Sequence, residues 1–127
     1  MNEQKLKIVT FEQARRMKAL GFDWPCRESY ENGELLSEDP LEWNYNAYEG
    51  VYSAPTVALA LKWFRDVKNV QNGIQYVDTG MKLFYYGQHQ SNGLGFFDKE
   101  TAKFDTHEAA ESALLDALLE QAEKEAE

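Results

Sequence analysis

The chain has 127 residues, 43% of them hydrophobic and 13% aromatic, which is material for one core and argues against a disordered chain. A single cysteine excludes a disulfide scaffold and a multi-cysteine zinc site, and no apolar run reaches the ~20 residues that span a bilayer. A net charge of −9 argues against binding nucleic acid through its phosphates.

The first element expected is a helix after Thr10. Thr10-Phe11-Glu12-Gln13 is a capping box, with Val9 and Ala14 placed as a hydrophobic staple. Phe11, Ala14, Met17 and Leu20 form its apolar stripe, and Gly21-Phe22 reads as a left-handed stop with an apolar contact behind it. Residues 22–52 are the least regular part. Trp24-Pro25 blocks helical continuation, and Glu31-Asn32-Gly33-Glu34 reads as a turn joining two short strands. A long irregular segment in a small domain is often functional.

A second helix is expected from about Ser53-Ala54-Pro55, with Ser53 or Ala54 as cap and Pro55 in the first turn. It is apolar almost all round from Val57 to Val67, which assigns it to the centre of the fold. After a turn at Asn69 to Gly73, strands are expected at Ile74–Val77, Met81–Gln88 and Leu94–Phe97, followed by an extended piece ending at Phe104. A last helix runs from Asp105 or Thr106 to about Gln121, burying Ala110, Leu114, Ala117 and Leu118, with residues 122–127 frayed. The order describes a single α+β domain over residues 1–127, three helices packed on an antiparallel sheet of about three to four strands.

The charge is concentrated. Residues 28–49 hold seven acids and no base, and residues 108–127 hold seven acids against Lys124 alone. Six bases against three acids in residues 1–27 offset part of this. An acidic face of this kind suits a solvated surface, docking on a basic partner or imitation of DNA.

Catalytic and metal constellations are weak. Cys26 would need His89 or His107 brought to it in space to act as a nucleophile, and no local signature announces that. The two histidines lie too far apart for a zinc site, and the pairs Glu38/Asp39 and Asp98/Glu100 lack a calcium-loop period. Ser91-Asn92-Gly93-Leu94-Gly95 sits between expected strands and opens no helix, so it reads as a hairpin turn and not a phosphate cradle. No cofactor is implied.

The feature above background is aromatic. Trp43, Tyr45, Tyr48 and Tyr52 lie within ten positions, beside Asn44, Asn46 and Glu49. Rings with polar tips next to amides suit three roles: core, a protein or homo-oligomer interface, or a stacking pocket for a small nucleotide-type ligand. All three remain open at this stage.

Phe11 to Ala14, Gly21-Phe22-Asp23-Trp24-Pro25-Cys26, Ser53-Ala54-Pro55-Thr56 and Thr106-His107-Glu108-Ala109 carry a resemblance. The sequence resembles small proteins encoded by phages and other mobile elements of Bacteroidales gut bacteria. The resemblance implies an accessory protein working in the bacterial cytoplasm, and it assigns no role to any single residue. The first residues hold no apolar stretch of the signal-peptide kind, which agrees. The resulting expectation is a non-enzymatic protein that binds a host or phage partner. A nucleotide-sequestering protein countering host defence is the first alternative, and a small Cys/His enzyme the second.

Overall fold

Thr10 opens the first helix, α1 (Phe11–Ala19), through both bonds of the capping box. Its Oγ1 accepts from the Gln13 amide at 3.1 Å, and Gln13 Oε1 accepts from the Thr10 amide at 2.9 Å. Val9 and Ala14, the staple pair, are fully buried. At the other end the Phe22 amide donates to Met17 and the Gly21 amide to Lys18, the two bonds of a Schellman stop. Gly21 adopts φ +94°, which a residue with a Cβ avoids. Met17 and Phe22, brought together by that stop, are both buried.

A computed structural model of the chain describes residues 7–36, 42–78, 80, 83–90, 99–100 and 104–125. The chain divides into two compact units, Met1–Leu59 and Ala60–Glu127, with the boundary inside a helix. The α+β class read from the sequence is what the structure has: three α-helices with small antiparallel sheets.

In the first unit, β1 (Ser29–Glu31) and β2 (Glu34–Leu36) form the expected hairpin. Asn32 and Gly33 both take positive φ, 54° and 80°, the backbone of the tight turn that matches strand twist. A third strand, β3 (Val51–Ser53), pairs antiparallel with the other side of β1, giving the order β2-β1-β3. This strand falls in the segment read as irregular. Three residues are too few for an alternating pattern to register in sequence. Phe11 of α1 stands edge-on to Tyr30 and Tyr52, neighbours across the β1–β3 pair, at 5.5 and 5.6 Å between centroids. The Tyr30 hydroxyl donates to the Val9 carbonyl at 2.8 Å, so α1 is fixed to the sheet by rings and by one polar bond.

The second helix, α2 (Val57–Asp66), starts later than the sequence suggested. Its cap is Thr56, whose Oγ1 accepts from the Leu59 amide at 3.1 Å, and neither Ser53 nor Ala54 serves. The cause is continued extended pairing. The Ala54 amide donates to Glu28, the Val9 amide donates to the Pro55 carbonyl, and Pro55 holds the residue before it extended. Ala60, Leu61, Trp63 and Phe64 are buried as the apolar pattern required, whereas Val67 lies just past the helix and is half exposed. Asn72 Nδ2 closes the helix end by donating to the Leu61 and Val70 carbonyls.

The second unit is built on a long hairpin. β4 (Gln71–Asp78) pairs antiparallel with β5 (Leu83–Gln90), from Gln71 opposite Gln90 to Asp78 opposite Leu83. The short β6 (Lys99–Glu100) adds to β5, giving the order β4-β5-β6. The third helix, α3 (His107–Glu125), packs on β5 and β4. Its cap is Thr106, one of the two residues expected, accepting from the Ala109 amide at 3.1 Å. Ala110, Leu114, Leu115, Leu118 and Leu119 are buried, while Ala117 is only half-buried. The helix continues past Gln121 to Glu125, where Glu120 meets Lys124 at 3.3 Å and Gln121 donates to Glu125. The expected strand Leu94–Phe97, the Ser91–Gly95 turn, Asp98 and the Glu38/Asp39 pair lie outside the described residues. Among the described residues no helix is long and apolar enough to cross a membrane.

Candidate functional site

The four rings singled out in the sequence have different surroundings. Trp43 pairs with Cys26 as an isolated antiparallel bridge, each amide donating to the other's carbonyl at 2.8 and 2.9 Å. Its backbone is therefore fixed at a point where its side chain is 44% exposed. Tyr45 opens a single 3-10 turn (Tyr45–Ala47) and is half-buried. Tyr48 closes that turn by donating its amide to the Tyr45 carbonyl, and it is the most exposed of the four, at 58%. Tyr52 belongs to β3 and is half-buried against Phe11.

Two side chains hold this segment in place. Asn46 donates Nδ2 to the Phe22 carbonyl and accepts the Ser53 amide on Oδ1, both at 2.8 Å. Its own amide is shared between Asn44 Oδ1 and Ser53 Oγ. Lys18 donates Nζ to the Tyr48 carbonyl at 2.7 Å and to the Val51 carbonyl at 2.9 Å, and lies over the Tyr52 ring. The sequence reading had Asn46 only as an amide beside rings and missed Lys18. No local pattern links a lysine near the end of α1 to carbonyls thirty residues away.

Tyr52 is thus part of the packing that joins α1 to the sheet, and Tyr45 is built into the turn. Trp43 and Tyr48 remain as large rings presented to solvent on a fixed backbone. Glu42 and Glu49 stand next to them in sequence and are exposed, and residues 28–49 hold no base.

Beside the Trp43–Cys26 bridge a small pocket of about 110 Å³ opens, lined by Cys26, Arg27, Glu28, Glu42, Pro55 and Leu59 among others. None of the four rings lines it. Cys26 lines it, is buried, and donates Sγ to the Trp24 carbonyl at 3.6 Å. Burial, with the nearby Glu42 and Glu28 carboxylates, pushes its thiol up to about 12. A nucleophilic cysteine needs the opposite shift. In the second unit His107 stands edge-on to Tyr85 and 3.4 Å from Glu111. Among the described residues no group of three His, Cys, Asp or Glu side chains could hold a metal ion.

The raised thiol has a measurable consequence. Above about 8.5 an unfolded thiol loses its proton, whereas the folded one keeps it until about 12. The folded state then binds more protons, so this group's contribution to stability falls as pH rises through that window. Urea melts of the wild type and Cys26→Ala should therefore converge between pH 8 and 11. Iodoacetamide should label the native thiol at least about tenfold more slowly than the unfolded one at pH 8. Equal labelling rates would mean an accessible, ordinary thiol.

Compared with known proteins, the chain matches no family model, no curated protein and no solved structure. Its reading rests on its own geometry.

Proposed function

We propose that this protein acts by binding another protein, with the exposed rings of Trp43 and Tyr48 and the carboxylates around them as the contact surface. The observation that carries the proposal is Trp43, a ring 44% exposed on a backbone locked by two hydrogen bonds. A tryptophan held in water gives up hydrophobic free energy that a partner restores on covering it, and a fixed backbone lowers the ordering cost of doing so. Tyrosine and tryptophan are enriched at such contacts. The wider setting in this proposal is a non-enzymatic accessory protein of a phage or mobile element, in the cytoplasm of a bacterial host. The raised Cys26 thiol supports the non-enzymatic reading over a cysteine-based one.

The test is site-specific photocrosslinking in the cells that naturally make the protein. Benzoylphenylalanine at Trp43 and at Tyr48 should each give the same discrete protein adduct, absent when the probe replaces the exposed Lys62. Trp43→Ala with Tyr48→Ala should remove the interaction while changing stability by no more than about 1 kcal/mol, as at other exposed positions. No discrete adduct, or the same adduct at all three positions, rejects the surface. A double variant that unfolds would make these rings part of the core.

A further inference from the structure

The Cys26 pocket says something about the chemistry of what is bound, and this step rests on the contact surface proposed above. Its lining brings Glu28 and Glu42 together with one base, Arg27, leaving a net negative charge. Among the described residues no ion pair or hydrogen bond reaches either carboxylate. Both carboxylates also act on the buried thiol that lines the same pocket. Pro55 and Leu59 supply apolar wall. An apolar-walled hollow with carboxylates fits a side chain that has an aliphatic stem and a cationic head.

The surroundings favour the same occupant. Among the described residues 28–36 and 42–49 there are five acids and no base, a field that attracts positive chains and repels acidic ones. Trp43 is bonded through its backbone to Cys26 and follows Glu42 in sequence, so the backbone of an exposed tryptophan adjoins the pocket lining. Indole is the aromatic face that best receives a guanidinium or ammonium group.

We infer that this pocket receives an arginine or lysine side chain from an extended cationic segment of the partner protein, seated between Glu28 and Glu42. The segment's neighbouring residues then cover Trp43. A phosphate or an acidic peptide is the wrong charge for this site.

The probe is an acetylated nonapeptide of alternating arginine and glycine, titrated into the 15N-labelled full chain at low salt. The citrulline version, neutral and nearly isosteric, is the comparison. The amides of Cys26, Arg27, Glu28, Glu42 and Thr56 should shift saturably with the arginine peptide, and binding by the citrulline peptide should be at least about tenfold weaker. Glu28→Gln with Glu42→Gln should weaken the arginine peptide about tenfold, while Glu31→Gln with Glu34→Gln, the same change in charge elsewhere, should weaken it less than about twofold. The spectra themselves report whether each variant is folded. Equal losses in the two double variants, equal binding of the citrulline peptide, or shifts that spare the pocket would overturn the inference. So would photoadducts at Trp43 and Tyr48 that form undiminished in Glu28→Gln with Glu42→Gln, a result that leaves the contact surface standing. Loss of all adducts in the wild type would instead remove the surface itself.

Discussion

Phe22→Ala is expected to destabilise the protein by about 3–5 kcal/mol, the cost of removing a fully buried ring and leaving a cavity. Phe22 is 1% exposed, and its amide bonds to the carbonyl of Met17, which is also buried. Its ring lies 6.3 Å from that of Trp24, so the substitution also loosens the approach to Pro25 and Cys26. The urea midpoint should fall with little change in slope, and Phe22→Leu should recover much of the loss. A cost below about 1 kcal/mol would place the ring outside the core.

Asn46→Ala should cost about 2–3 kcal/mol, although Asn46 is only half-buried. The amide group satisfies the Phe22 carbonyl and the Ser53 amide at once. Removing it strands two backbone groups in the interior of the loop, a larger penalty than the loss of one ordinary hydrogen bond. Asn46→Asp keeps an acceptor for Ser53 but turns an oxygen toward the Phe22 carbonyl, so it should recover only part. Because the 3-10 turn hangs on this residue, proteolysis near Ala47 should accelerate in both variants in step with the stability loss. A stable Asn46→Ala protein would show that the turn is held by its rings.

The helices could be read from sequence because their signals are local. Thr10, Gln13, Gly21 and Phe22 fix both ends of α1 through contacts within three to five residues, and Thr106 does the same for the start of α3. The Asn32-Gly33 turn is local in the same way. The α2 cap was misplaced because Ser53 and Ala54 look like a cap until β3 and the Ala54–Glu28 bond claim them as extended chain. That competition is between distant segments, which composition does not record. The aromatic cluster was visible as a cluster, but its division was not. Tyr52 is drawn inward by Phe11 and Lys18, partners from α1, while Trp43 is turned outward by pairing with Cys26.

The bonds from Asn46 and Lys18 to β3 bear on how copies of this protein avoid sticking to one another. In the order β2-β1-β3, β3 is a border strand, and its side away from β1 would ordinarily offer a ladder of backbone groups to any passing strand. Here the Ser53 amide is taken by Asn46 and the Val51 carbonyl by Lys18, and a lysine is itself a poor neighbour for an incoming chain. The same two side chains that shape the presented rings thus cap that border against polymerisation. Their joint loss would open a templating surface next to an exposed tyrosine and tryptophan, and such a variant should form fibrils or runaway oligomers well before it loses its helices.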